Sequence, residues 1–371
     1  MTFWKSSRLI GIAAVGVLAL AGCGSDNNTT TPGGSASSSG GASAASIDCK
    51  PGTLNGEGSS AQKNAIDQAI QQGYLAQCSD AQINYNATGS GAGRKQFTSG
   101  QVDWAGSDSA LKDEERAAAT ARCEGNEAWD LPMVAGPIAI AYKLDGVTDL
   151  TLNGEVAAKI FQGQITSWDD AAIKALNPNA TLPSTPISVF FRTGGSGTTE
   201  NFTKYLHAVA PDAWTAEGAQ EWAGKGEGRE GSAGVAQAVA GASGGITYVE
   251  WSYAQDNKLS VAKIDNGSGA VELTGESAGK TIATATQTGQ GNDLALKIDY
   301  ATKESGAYPI VLVTYEIVCS KGLDAEKTAL LKSFLTYFAE DETQAGLQEI
   351  GYAPLPSEVS EKVRTAIAAI A

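Results

Sequence analysis

Phe191-Arg192-Thr193-Gly194-Gly195-Ser196-Gly197-Thr198-Thr199 is the stretch on which the reading of this chain turns. An apolar run over 187–191 leads into the arginine, and a helical pattern opens at Asn201. That is a strand, a tight turn and a helix start. A helix start carries unpaired N–H groups and a partial positive charge, so it attracts anions. The Arg192 guanidinium adds a planar fork that matches the oxygens of a tetrahedral anion. The glycines let the backbone approach closely.

Two further turns of the same kind lie upstream. Gly56-Glu57-Gly58-Ser59-Ser60-Ala61 ends a short strand over 52–58 and opens a helix whose apolar residues are Ala61, Ala65, Ile66, Ala69 and Ile70. Ser59 with Gln62 reads there as a capping box. Thr88-Gly89-Ser90-Gly91-Ala92-Gly93 follows a strand over 82–86 and precedes a short helix over 94–97. A strand over 102–105 ends in Gly106-Ser107-Asp108, before a charged, Ala-rich helix over 111–122. Beyond these, strands are expected over 133–142 (interrupted by Gly136-Pro137), 246–249 and 310–319. Helices are expected over 156–161, 169–176, 231–240, 325–338 and 359–369. Alternating strands and helices make this an α/β chain with largely parallel sheets. In such sheets ligands sit at the carboxyl ends of the strands. If the three Gly/Ser turns converge, they form a nest of N–H and hydroxyl donors with one arginine and one carboxylate.

Several chemistries are excluded. Residues 56–61 fit a dinucleotide fingerprint, but the next strand ends Asn84-Tyr85-Asn86, without the acid that would hold a ribose. Gly93 is followed by Arg94-Lys95-Gln96, which breaks the P-loop spacing; Arg94 and Lys95 read as a solvated helix face. Ser196 is not in a GxSxG elbow, and the single histidine, His207, falls in a helical run as a surface or packing residue. No metal-ligand pattern and no catalytic base is evident, so neither a metal nor a cofactor is expected.

The N-terminus reads as a targeting segment. Lys5 and Arg8 are basic, residues 9–19 are apolar, and small residues precede Cys23. The apolar stretch falls short of the roughly 20 residues a bilayer span needs. Leu20-Ala21-Gly22-Cys23 resembles a lipobox, which makes 1–22 a signal peptide and Cys23 a lipidated anchor to a membrane face. Residues 23–47 are a Ser/Gly-rich tether, with an r.m.s. reach of roughly 25–30 Å. The net charge is −15, which argues against a nucleic-acid partner. Four cysteines remain, and export favours disulfides. Cys49 precedes the first strand and Cys78 the second; parallel neighbours would bring them together, which gives Cys49–Cys78 and Cys123–Cys319. A zinc site is the alternative, although no CxxC is present.

Asp108 has two readings. It is a helix N-cap ahead of Leu111, or it is a carboxylate inside an anion site. An ionised carboxylate accepts hydrogen bonds and cannot donate. It would welcome hydrogen phosphate, which brings a proton, and repel sulfate, which brings none.

Taken together these segments resemble the phosphate-binding lipoprotein of the bacterial ABC phosphate importer, the PstS type of periplasmic solute-binding protein. The resemblance covers about 53–367. It rests on the Gly-Ser turn with Lys95-Gln96, Val102-Asp103-Trp104-Ala105-Gly106-Ser107-Asp108, and Arg192 with Ser196-Gly197-Thr198. Trp168-Asp169-Asp170, Gly245-Ile246-Thr247-Tyr248-Val249-Glu250 and Tyr352-Ala353-Pro354-Leu355-Pro356 belong to it too.

The resemblance implies a two-domain periplasmic-binding-protein fold of type II. Its hinge crossovers would lie near 134–137 and 308–310, with the ligand cleft between domains 48–134 plus 310–371 and 135–309. It implies that Ser60, Ala61, Ser90, Asp108, Arg192, Ser196, Gly197 and Thr198 hold phosphate. Asp108 would accept the phosphate proton, and Arg192 would donate in bidentate fashion. Ser90 and residues 196–198 would give N–H groups and hydroxyls. Relatives often carry Asp two residues after this arginine, where Gly194 stands here. The implied protein is a monomer without enzymatic activity that delivers phosphate to membrane permease subunits. Another oxyanion (arsenate, sulfate or molybdate) or a secreted phosphatase are the alternatives.

Overall fold

The computed structural model describes residues 47–371. The signal-peptide, Cys23 and tether readings lie outside the described residues, apart from Ile47.

Among the described residues nine strands join into one sheet. In chain order they are β1 (Gly52–Gly58), β2 (Ala81–Asn86), β3 (Trp104–Ser107), β4 (Ala128–Lys143), β5 (Ser188–Arg192), β6 (Glu227–Arg229), β7 (Gly245–Glu250), β8 (Ser260–Val261) and β9 (Val311–Cys319). Their spatial order is β2-β1-β3-β9-β4-β7-β5-β6, with β8 also pairing to β4. The flanks are parallel: β1 with β2 and β3, and β5 with β6 and β7. The centre is antiparallel: β9 with β3 and β4, and β4 with β7. The expected largely parallel sheet is therefore mixed. The local strand–turn–helix units are parallel as read, and the two long strands that unite them run against their neighbours.

β4 is the central member and shows why. Its 16 residues are buried up to the last, with no alternation, as in a strand covered on both faces. Gly136-Pro137 does not interrupt it. Pro137 lies opposite Val311 in the ladder, and the next N–H, that of Ile138, donates to the Ile310 carbonyl. From Ala128 to Pro137 the partner is β9; from Ile138 to Lys143 it is β7.

The apolar residues gather accordingly. One core is built on Ile138–Tyr142 with Phe161, Trp168, Phe202 and Tyr248. A second packs Leu54, Ile66, Trp104, Leu131, Leu331 and Phe334. A third surrounds Val311, Val313 and Ile317, and receives Ala278 and Ile282 from the helix Gly275–Ala283. Disulfides join Cys49 to Cys78 and Cys123 to Cys319, each with 5.3 Å between α-carbons. The first brackets the paired starts of β1 and β2; the second ties the helix Asp113–Arg122 to the end of β9.

Local structure also departs from the sequence reading at the helix starts that follow the turns. The helix after Arg192 starts at Gly197 and not at Asn201, with Ser196 Oγ capping the Thr199 N–H at 3.2 Å. Gly, Thr and Thr are weak helix formers, so the pattern became visible only where large residues begin. The helix after the second turn runs Ser90–Thr98, longer than expected for the same reason. Ser59 and Gln62 do not form a capping box. Gln62 is itself the N-cap of Lys63–Asp67 and makes no side-chain capping bond, and Ser59 faces the other way, toward Asp108.

Candidate functional site

The carboxyl ends of β1, β3 and β5 open into turns that meet in one buried place. Asp108 follows β3, and its carboxylate collects three hydroxyl donors. Ser59 Oγ and Thr314 Oγ1 donate to Oδ1 at 2.5 and 2.7 Å, and Ser90 Oγ donates to Oδ2 at 2.9 Å. The Asp108 N–H donates back to Ser90 Oγ at 3.0 Å. Asp108 is 4% exposed. Burial is the main cause that pushes its carboxyl up to about 6, against the lowering effect of the three hydroxyls; the charge of Glu250 adds to the rise. The N-cap reading of Asp108 is thereby corrected. The cap ahead of Asp113 is Lys112, whose N–H bonds the Glu115 carboxylate.

A carboxylate has about four lone-pair positions. Three are taken, and the remaining one is on Oδ2. That oxygen faces the start of the helix Gly197–Val209: a Cβ added to Gly197 would stand 2.6 Å from Asp108 Oδ2 and 2.6 Å from Ser90 Oγ. Only glycine fits there. Asn201, one turn on, donates from Nδ2 to the Asp108 and Gly197 carbonyls, both at 2.8 Å, and is held by the Tyr300 hydroxyl.

Arg192 ends β5 and is as buried as Asp108. Its Nη1 donates to Ser232 Oγ at 2.9 Å and to Thr198 Oγ1 at 3.3 Å, while its Nε is buried without a partner. Gly194 is exposed with φ +72, and a side chain there would touch nothing within 4 Å. Arg192 is thus oriented by hydroxyls rather than by a neighbouring acid. Ser232, in the first turn of the helix Gly231–Gly241, in turn meets Ser60 Oγ at 3.0 Å. Ser60 is pinned through its carbonyl by the Tyr253 hydroxyl at 3.0 Å, and the Ala61 N–H donates to Ser59 Oγ at 3.0 Å.

The structure therefore brings Ser60, Ala61, Ser90, Asp108, Arg192, Ser196, Gly197 and Thr198 into one neighbourhood. Three helix starts, at Ser90, Gly197 and Gly231, turn their N–H-rich ends toward it. Sequence reading missed Ser59, Thr314, Ser232 and Glu250. Ser232 had a signal in the Gly231-Ser232 start of a small-residue helix; Glu250 had one only as the last residue of the 245–250 segment, and Thr314, which reaches the site from β9, had none. Arg94 is a further correction. It is 2% exposed, holds the Glu115 carboxylate at 2.8 Å and donates to Ser107 Oγ at 3.0 Å, so it braces the turn before Asp108 and is no solvated face.

Glu316, on the same face of β9 as Thr314, is fully buried with neither oxygen in a hydrogen bond. Burial holds its carboxyl well above the usual range, and the charge of Asp108 raises it further. Gln62 offsets part of the rise, and the acid stands beside the site.

A family model described as "PBP superfamily domain" matches residues 35–342. Phosphate-binding protein PstS3 of Mycobacterium bovis is 45% identical over 368 residues, 98% of each chain. The chain belongs to the PstS family of the PBP superfamily. Phosphate-binding protein PstS2 of the same organism is 43% identical over 381 residues, covering both chains in full. Among solved structures, a high affinity periplasmic phosphate-binding protein (PfluDING) bound with phosphate superposes with a TM-score of 0.69 at 23% identity. The match covers 85% of this chain and 93% of that one. At that identity the likeness speaks to the fold, which is that of periplasmic binding proteins. The relatives are named as binding proteins. Among the described residues, no helix is long and apolar enough to cross a membrane.

Proposed function

We propose that this PstS-family chain captures inorganic phosphate at the Asp108–Arg192 site and delivers it to the permease subunits of an ABC-type importer. The observation that carries this reading is the state of Asp108. A buried carboxylate lies among helix starts and an arginine, with three hydroxyls already donating to it and one acceptor position left over. An anion that enters must bring a proton to that position. Hydrogen phosphate does so, and so does a protonated arsenate; sulfate and molybdate at neutral pH do not.

The body divides between 48–134 plus 310–371 and 135–309, with crossovers at 134–137 and 308–310. In support, the cores centred on Ile138–Tyr142 and on Leu54, Trp104 and Phe334 gather residues mostly from one side or the other. Ser60, Ser90 and Asp108 come from the first part, and Arg192, Ser196, Thr198 and Ser232 from the second. All seven are at most 5% exposed, so a ligand enters only when the parts separate. Expelling water strengthens every hydrogen bond that then forms. No residue in the site is placed as a nucleophile with its base, and the reading is of a binder without a chemical step. The chain is exported, held by lipid on Cys23 to the outer face of the membrane, and acts as a monomer.

The test is calorimetric titration of phosphate, then sulfate, into ligand-stripped protein near pH 7. One-to-one uptake of phosphate with no sulfate heat is expected. Asp108→Asn, which can donate, should let sulfate in. Equal binding of both anions by the unaltered protein would remove the role given to Asp108, and binding of neither would remove the reading.

A further inference from the structure

Glu250 ends β7 and sits at the N-cap of the helix Trp251–Asp256, yet its side chain makes no capping bond. It is 0% exposed and points into the site instead. Its Oε1 accepts the Thr198 hydroxyl at 2.5 Å, and its Oε2 is buried without a partner. On the other side of that hydroxyl, Thr198 Oγ1 accepts from Arg192 Nη1 at 3.3 Å. One hydroxyl thus links a buried guanidinium to a buried carboxylate. The arginine ion pairs among the described residues belong to Arg94, Arg116, Arg229 and Arg364. Arg192 has none, so Glu250 is the acid that its network reaches through Thr198.

We propose that Glu250 is a specificity-determining residue, which balances Arg192 through Thr198 and draws the Thr198 proton away from the ligand, so that the site favours an anion carrying its own proton. This rests on the phosphate reading above and extends it. The hydroxyl protons of Ser59, Ser90 and Thr198 all turn to carboxylates. None of the three is left for the ligand. The ionisable groups facing the site are Asp108, Glu250 and Arg192, with Glu316, its carboxyl pushed up by burial, beside them. Hydrogen phosphate and sulfate are both dianions near neutral pH, so charge alone does not tell them apart. A pocket with its hydroxyl protons turned inward offers few donors and one free acceptor, and so favours the anion that can donate. Discrimination then comes from two carboxylates, and Asp108 is only the one that touches the ligand's proton.

Glu250→Gln separates the two contributions. The amide keeps the shape, but without a charge it holds the Thr198 hydroxyl less strongly, and its nitrogen can donate, so a donor becomes free for an anion without a proton. With Asp108 intact, the ratio of phosphate to sulfate affinity, from calorimetry at pH 7.5, is expected to fall at least tenfold, chiefly through gained sulfate binding. A merely structural role would weaken both anions together and leave the ratio alone. A ratio within twofold of the unaltered protein, in a variant with an unchanged circular dichroism spectrum, overturns the proposal while leaving the phosphate reading in place. If Glu250→Gln does not fold, Thr198→Val decides. A hydroxyl whose proton is committed to Glu250 gives the ligand nothing, so phosphate affinity should fall less than tenfold and selectivity should hold. Loss of phosphate affinity with selectivity retained would mean that the Thr198 hydroxyl serves the ligand, which overturns the proposal. Unaltered protein that binds neither anion overturns the phosphate reading and this inference with it.

Discussion

Ser60 and Ser232 meet hydroxyl to hydroxyl at 3.0 Å across 172 positions of chain, and Ser232 at the same time accepts from Arg192. A buried hydroxyl in two hydrogen bonds, one of them to a charge, contributes roughly 1–3 kcal/mol. Ser232→Ala should therefore weaken phosphate binding by about 5- to 150-fold at a fixed pH, read by calorimetry. An affinity that stays within twofold would show that Arg192 holds its place without Ser232.

Gly197 is where the backbone comes closest to Asp108. Adding one methyl would put a Cβ 2.5 Å from the Asp108 Cβ and 2.6 Å from Oδ2. Neither neighbour is the loose end of a flexible chain. Gly197→Ala should abolish detectable phosphate uptake and lower ligand-free stability by about 1–3 kcal/mol, measured by urea unfolding. Retained micromolar binding would mean that the site closes differently.

Asp108 should leave a mark on stability even without ligand. Its carboxyl is raised to about 6 from 3.8, chiefly by burial, so the folded protein holds that proton more tightly than the unfolded chain. Stability from this group is fully present below about pH 3.8 and is lost as pH rises through 6. Relative to Asp108→Asn, which does not titrate, the ligand-free protein should lose about 2 kcal/mol between pH 4 and pH 7. Urea unfolding of both proteins across that range cancels the contribution of every other acid. A difference that stays flat with pH would place the Asp108 pKa near its ordinary value.

The Cys123–Cys319 disulfide closes a separation of 196 residues and joins the helix after Asp108 to β9, which supplies Thr314. Long loops give the largest entropic effect in the unfolded chain, about 2–5 kcal/mol. Replacing both cysteines by alanine should lower stability by that amount, and phosphate affinity by less than tenfold. An unchanged unfolding midpoint would show that the native contacts alone fix β9.

What the sequence disclosed and what it hid follow one physical line. The three Gly/Ser turns, Asp108 and Arg192 were legible because a turn declares itself in adjacent residues. Thr314 and Glu250 were not, because each is a polar residue in a largely apolar strand whose partner lies in another segment. Arg94 was misread because a basic residue beside Lys95 looks like a solvated pair, and only the position of Glu115 reveals that one of them is buried. The antiparallel centre was hidden for the same reason. Local units show a strand followed by a helix, and nothing in them states that β4 and β9 run opposite to their neighbours.

β4 changes ladder partner between Pro137 and Ile138 without a break in the strand. The two halves of the sheet therefore share a spine, and a rotation of one against the other can be taken up as torsion about a few peptide units while both ladders stay zipped. Were the halves to turn in the closure proposed above, the twist would fall on Gly136, Pro137 and Ile138, which lie outside the candidate site, and both ladders could move as they stand.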